Sequence, residues 1–382
     1  MWGANNGTYI RNYIAFAGKI MKVLFDMGHP ADVHLFKYIM GNLEKDGHEI
    51  KICVRERENI VKRLLDLYGF NYESLERNVP GLFNKAVTMF KNDYKLLKIS
   101  KKFNPDVYVS LASPYSAQVS KILGRQSITF TDSEPTGLML ALTMPFTDVI
   151  ITPSRFTRDL GKKQIRISGY KELAYLHPNW FEPKSDVLEA IGISRNDPYV
   201  ILRFSAFDAS HDIGIKGFSL EDKRRLVKEL SKYATVFISS EISLPKDLEK
   251  YSLDIPEHRM HDALYYASML VGDTQTSTTE AACLGTPAVR CNSFVGQNDM
   301  SNFIELEETY GLIFNYNTPE KAIEKSIELI QRRGLKEKWI SKKEKLYRDK
   351  IDVTAFMTWF IEDYPESLRV MEKDPSYQER FK

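Results

Sequence analysis

The sequence predicts an α/β protein built as two doubly wound parallel-sheet domains facing a central cleft. Three observations predict it. Short apolar runs alternate with helical-period segments along most of the chain. The 382 residues suffice for two cores of roughly 150–200 residues each. Polar, chemistry-bearing stretches recur just after apolar runs: GHPADVH, TDSEPTG, RFSAFDASHD and DTQTSTTE. Open parallel sheets bind their ligands beyond the carboxyl ends of strands, which is where these stretches fall.

Residues 1–20, MWGANNGTYIRNYIAFAGKI, read as an N-terminal extension without a convincing signal-peptide core and cleavage site. Met21 opens a cleaner domain start, and the first domain is expected over 21–168. In it, IMKVLFDM reads as a buried strand. Residues 33–46 carry helical spacing, Gly47 is placed to end that helix, and HEIKICVR is the next strand. ENIVKRLLDLYG and 81–103 read as helices, VYVSLAS as a strand, 115–123 as a helix. QSITF and DVIITP are strands, and QIRISGY closes the half.

A proline- and aromatic-rich connection is expected over 169–197, and a second domain over 198–345. PYVILRF and ATVFISSE are its first strands. Between them SLEDKRRLVKELSKYA is a helix, with Ser219 and Asp222 at capping-box spacing. HDALYYASML is a short amphipathic helix, LVGD a strand end, TSTTEAACLG a loop feeding a helix, and TPAVRCN a strand. The remainder is helical, with 346–382 packing back on the first domain.

Apolar residues make up 43%, charged residues 27%, and the net charge is +2, which gives no whole-chain argument for nucleic acid. Three cysteines without a CxxC pair point to a reducing, cytoplasmic setting. Cys283 reads as a packed thiol. No apolar run reaches about 18 residues, so no membrane span is expected. Peripheral contact at the inner face of a membrane stays open. The basic run Lys342, Lys343, Lys345 and Arg348 is its sequence-level candidate. Tyr94, Tyr265 and Tyr266 are expected in core packing.

Gly28 makes the turn after the first strand. His29, with a pKa near neutrality, is a candidate general base. Asp32 caps the following helix or orients a histidine, and His34 faces either cleft or core. No metal is inferred, since one tight loop gives no convergent ligand geometry. Asp132, Ser133 and Glu134 end another strand on the acceptor side. Glu134 is the second candidate base, against simple turn formation before Pro135. Arg203, Ser205 and His211 suit phosphate. A helix start near Thr279 suits a diphosphate, and Glu280 suits ribose hydroxyls, against ordinary capping.

VLFDMGHPADVHLFK and IPEHRMHDALYYASMLVGDTQTSTTEAACLGTPAV (Ile255 to Val289) resemble the DUF354 family. That family is grouped with the GT-B glycosyltransferases, among them the MurG-like transferases, and the UDP-N-acetylglucosamine 2-epimerases. The resemblance implies a GT-B-like fold with the nucleotide on the second domain. It places Glu280 on the ribose and Thr276, Ser277, Thr278 and Thr279 at the diphosphate, where relatives often have glycines. It places the nucleobase near His258 and Met260, with Glu241 close by. The donor sugar falls near Asn298 and Asp299, and the acceptor and base on the first domain.

The expected function is a nucleotide-sugar-dependent glycosyltransferase acting on a glycan or surface-polysaccharide precursor, with a UDP-linked donor as substrate and no cofactor. A 2-epimerase-like enzyme and a non-catalytic sugar-nucleotide or glycan-binding protein are the alternatives.

Overall fold

A computed structural model describes residues 20–55, 59–76, 82–135, 137–205, 217–296 and 299–382, with backbone alone at 82–86. The expected N-terminal extension therefore lies outside the described residues, apart from Ile20.

The first sheet holds seven parallel strands in the order β3-β2-β1-β4-β5-β6-β7. They are β1 (Lys22–Met27), β2 (Glu49–Val54), β3 (Tyr72–Ser74), β4 (Val107–Leu111), β5 (Gln126–Phe130), β6 (Val149–Pro153) and β7 (Gln164–Ile167). β1 pairs with β2 and β4, Phe25 facing Ile52 on one side and Val109 on the other. Val23, Phe25 and Met27 join one apolar cluster and Leu24 another. Both faces of this central strand are therefore covered, as a run without polar alternation requires.

The crossovers are α1 (Pro30–Lys45), α2 (Ile60–Tyr68), α3 (Leu82–Phe103), α4 (Pro114–Ile122) and α5 (Gly137–Thr143). α1 packs on α2, whereas α3 packs on α4 and α4 on α5. α3 turns Thr88, Asn92, Leu96, Ile99 and Ser100 inward. That phase corrects the expectation for Tyr94, which points outward and is 60% exposed.

A connection carrying α6 (Leu173–Leu176) and α7 (Asp186–Ala190) leads to the second sheet. Its five parallel strands run β12-β11-β10-β8-β9: β8 (Tyr199–Phe204), β9 (Thr235–Ser240), β10 (Met269–Gly272), β11 (Ala288–Cys291) and β12 (Ile313–Tyr316). The helices here are α8 (Leu220–Leu230), α9 (Met260–Tyr266), α10 (Gln275–Leu284), α11 (Ser301–Glu308) and α12 (Pro319–Ile330). Ser219 and Asp222 cap α8 reciprocally. β12 interrupts a stretch read as helical. Four residues are too few for a period to show.

α13 (Leu335–Asp349), α14 (Val353–Glu362) and α15 (Glu366–Lys373) end the chain. α14 packs on α1 and α6, α13 packs on α10, and α6 touches both α1 and α10. Part of the basic run in α13 is committed to this packing. Lys342 donates to the Gly311 carbonyl and lies over Trp339, Lys345 donates to the Thr309 carbonyl, and Lys343 is half-buried beside Tyr265 and Tyr347. Lys342 and Lys345 thus meet carbonyls of the second domain, while Lys345 and Arg348 remain exposed, so the run is solvated along part of its length. Among the described residues no helix is long and apolar enough to cross a membrane. Cys53, Cys283 and Cys291 are free and buried.

Candidate functional site

In each sheet the winding reverses once: between β1 and β4 in the first, between β8 and β10 in the second. Ligands of open parallel sheets bind at such points. The loops there are Gly28–His29 and Ala112–Ser113 in the first sheet, Ser205 and Asp273–Thr274 in the second.

At the first point the helix start is closed by its own residues. Asp32 accepts from the Gly28 N–H at 2.7 Å and the His29 N–H at 3.0 Å, while His29 Nδ1 accepts from the Ala31 N–H at 3.1 Å. Burial pushes the Asp32 carboxyl up to about 6, against those two N–H groups and the nearby Arg55. Asp32 therefore caps the helix. Beneath the loop lies a network absent from the sequence expectations. Asp26 is buried in β1 and accepts from Arg55 Nε at 2.9 Å and from Ser113 Oγ. Arg55 also donates to Ser113 Oγ at 3.0 Å and stacks 4.2 Å from the Tyr115 ring centroid. An aspartate inside the run VLFDM was the available signal, because a buried carboxylate needs a cation.

At the second point β8 and β10 approach closely. A Cβ on Gly272 would lie 2.2 Å from the Arg203 carbonyl oxygen, so only glycine fits there. Asp273 follows. It accepts from the Ser205 N–H at 2.7 Å, and burial raises its carboxyl to about 6. Arg203 donates to Ser239 Oγ at 2.7 Å and to Glu241 at 3.2 Å, and Ser205 Oγ donates to Glu241 at 3.2 Å.

α10 begins at Gln275, with Thr274 as its N-cap, which corrects the expected start near Thr279. The Thr/Ser run read as loop because such side chains compete for backbone bonds. Here Thr278 Oγ1 donates back to the Thr274 carbonyl at 2.7 Å, and Thr279 Oγ1 accepts from Asn302 at 3.3 Å. Both are buried. Thr278 and Thr279 thus face the core, while Thr276 and Ser277 remain half-exposed in the first turn. Thr274 makes no capping bond with its side chain. It is only 8% exposed, and its Oγ1 is buried with no partner among the described residues.

Glu280 lies mid-helix, not in the first turn, and is buried between the two domains. Its Oε1 accepts from Tyr175 Oη at 2.8 Å and meets His261 Nε2 at 2.9 Å. These bonds and the His261 charge lower its pKa despite burial. Both fall on Oε1, and Oε2 has no hydrogen bond among the described residues. His34 packs against this pair, its ring 4.8 Å from His261 and 5.3 Å from Tyr175. Burial holds its pKa well below the usual value, so the ring stays neutral. The alternative left open for His34 resolves toward interdomain packing. Tyr175 and His261 carried no motif and were missed.

A third cluster joins the halves. Glu134 Oε1 accepts from Ser301 Oγ at 2.5 Å and from the N–H groups of Ser301 and Thr157, while Oε2 is buried without a partner among the described residues. Asp132 is tied to Lys171 Nζ, which also lies 3.0 Å from Glu172. Half-buried Ser133 stands between Asp132 and Glu134. Asp299 accepts from Arg290 and from the Met300 N–H. His258 and Met260 are half-buried at the start of α9, and burial together with Arg259 lowers the His258 pKa. His211 and Asn298 lie outside the described residues.

The chain is similar to several solved structures. A UDP-N-acetylglucosamine 2-epimerase from Neisseria meningitidis bound to UDP-GlcNAc superposes with TM-score 0.61 at 13% identity, covering 91% of this chain and 100% of that one. MnaA of S. aureus with UDP gives 0.65 at 10%, covering 91% and 98%. Spinosyn forosaminyltransferase SpnP gives 0.62 at 12%, covering 93% and 100%. Identities this low show a shared fold, the two-sheet GT-B-like architecture. An uncharacterised protein of Methanocaldococcus jannaschii is 23% identical over 282 residues, 71% of this chain and 82% of that protein. Residues 21–345 match the family described as a protein of unknown function, DUF354, and the chain belongs to that family.

Proposed function

We propose that the chain is a nucleotide-sugar-dependent glycosyltransferase acting on a glycan or surface-polysaccharide precursor, with a UDP-linked donor. The observation that carries this reading is the start of α10. It lies at the reversal point of the second sheet, its first N–H groups have no helical partners, and the Thr274 hydroxyl beside them is buried and has no partner among the described residues. Such a start attracts a diphosphate through aligned N–H dipoles. The start of α1 offers no equivalent, because Pro30 has no N–H, His29 Nδ1 takes the Ala31 N–H, and Asp32 takes those of Gly28 and His29.

Glu280 would receive the ribose hydroxyls on Oε2, with Oε1 held by Tyr175 and His261. Thr276 and Ser277 flank the diphosphate, and Arg203 with Ser205 borders it. His258 and Met260 lie toward the nucleobase, Asp299 toward the donor sugar. UDP or UDP-GlcNAc in the fold relatives supports this ligand class.

The acceptor hydroxyl attacks the anomeric carbon, the sugar–phosphate bond breaks, and the diphosphate leaves toward α10. Glu134 takes the hydroxyl proton on Oε2, which has no partner among the described residues. His29 was the other candidate. Its Nδ1 accepts from the Ala31 N–H, so that nitrogen is committed to the helix cap and does not serve as the base. The site needs no cofactor for this step.

One observation favours a 2-epimerase-like second reading. Burial holds the Glu172 carboxyl above its usual range beside Lys171 and Asp132, an acid–base cluster that acceptor-free chemistry at a sugar carbon requires. Incubation with a panel of UDP-, GDP-, CMP- and dTDP-sugars, with and without glycan extract, separates the readings. Acceptor-dependent release of nucleoside diphosphate is expected. Product formed without acceptor would favour epimerisation, and binding with neither a non-catalytic role. Glu134→Gln is expected to keep donor binding and lower turnover at least about 100-fold. Normal turnover in that variant would remove Glu134 as base.

A further inference from the structure

We propose that the exposed stripe of α3 seats the protein on an anionic lipid bilayer. Val87, Phe90 and Tyr94 are 37%, 70% and 60% exposed, at the i, i+3, i+7 spacing of one helical stripe. Lys91, Lys98, Lys101 and Lys102 stand exposed on the same side, Lys98 lying 4.6 Å over the Tyr94 ring. The nearby carboxylates are Asp93, half-buried toward the Asp26–Arg55 network, and Glu76, which lies 3.5 Å from Lys95. Among the described residues the stripe itself carries no exposed carboxylate.

The chain as a whole is nearly neutral at +2, so this cationic stripe is a local feature. Aromatic and apolar side chains among lysines match the boundary between anionic headgroups and acyl chains. In α13, by contrast, Lys342 and Lys345 donate to carbonyls and Lys343 is half-buried.

The stripe also stands in a useful place. From Phe103 to Tyr94 the helix rises about 14 Å and to Val87 about 24 Å, whereas β4 spans only about 13 Å. Asn92 fixes the level by bonding both backbone groups of Glu76, just beyond β3. The aromatic end of α3 therefore reaches past the carboxyl edge of the first sheet. On the glycosyltransferase reading that edge carries the acceptor site, and a bilayer there would present a lipid-linked acceptor to it. Bilayer binding itself is independent of that reading.

The test is co-sedimentation of the full chain, without nucleotide, with phosphatidylcholine vesicles containing or lacking phosphatidylglycerol, at low and high salt. The wild type is expected to bind the anionic vesicles at low salt and to lose them at high salt. The double variant Phe90→Ser, Tyr94→Ser should bind at least about tenfold more weakly. Lys91→Ala and Lys98→Ala should each weaken binding about fivefold. Leu67→Ser, exposed on α2, should change nothing. All these side chains are exposed, and unchanged thermal melting confirms folding. Undiminished UDP affinity in the double variant separates this surface from the nucleotide site. Equal binding to neutral and anionic vesicles, binding that survives the double substitution, or a solution dimer abolished by it would overturn the proposal.

Discussion

Asp273 holds the two loops of the second reversal point together, and burial makes its charge expensive. In the folded chain its carboxyl keeps its proton up to about pH 6, whereas in the unfolded chain it titrates near ~3.9. The folded state binds the extra proton in that window, so stability falls as pH rises from about 4 to 6. Asp273→Asn should remove this fall while keeping an acceptor for the Ser205 N–H. Compared by urea unfolding, the wild type should lose on the order of 2 kcal/mol relative to the variant between pH 4 and pH 7. A constant difference across that range would contradict the assignment. At this scale the sequence reveals residue types but not partners. His29 and Asp32 were legible because capping is local. Asp26 with Arg55, Glu134 with Ser301 and Glu280 with Tyr175 were not, since each pair is joined only by the fold.

At the scale of elements, periodicity carried most of what could be read. The strands of both sheets' centres showed as apolar runs, and α1 and α8 showed through their spacing and caps. Misreadings had physical causes. α10 hid its first turn behind threonines whose hydroxyls fold back on the helix, as Thr278 does. α3 hid its phase because Tyr94 looks like a core residue until Leu96 and Asn92 are seen to face inward. β3 and β12 were too short for any period. β8 lies against β10 at Arg203 and Gly272, with no room for a Cβ on the glycine. Gly272→Ala should cost about 3 kcal/mol or more, because backbone, not a mobile side chain, meets the new Cβ. Urea unfolding checks this. A loss below about 0.5 kcal/mol would show that the strands part freely.

At the scale of the whole molecule, two parallel sheets are joined by α6, α13 and α14, and their reversal points differ in one respect. The helix start on the first sheet is closed by His29 and Asp32, and at the one on the second the Thr274 hydroxyl has no partner among the described residues. On the proposed glycosyltransferase reading, that asymmetry places the nucleotide on the second domain and the acceptor on the first. The two-sheet plan was legible from alternation alone, but the asymmetry was not, because it depends on which helix begins one turn earlier than its sequence suggests. Thr274→Val is the sharpest probe. It removes a buried hydroxyl that makes no bond among the described residues, so the fold should be as stable as before or slightly more so. Calorimetric titration with UDP, with GDP and dTDP for comparison, should show UDP binding to the wild type and at least about tenfold weaker binding to Thr274→Val. Equal UDP affinity in both proteins, or no nucleoside diphosphate bound by the wild type, would contradict a diphosphate site at the start of α10.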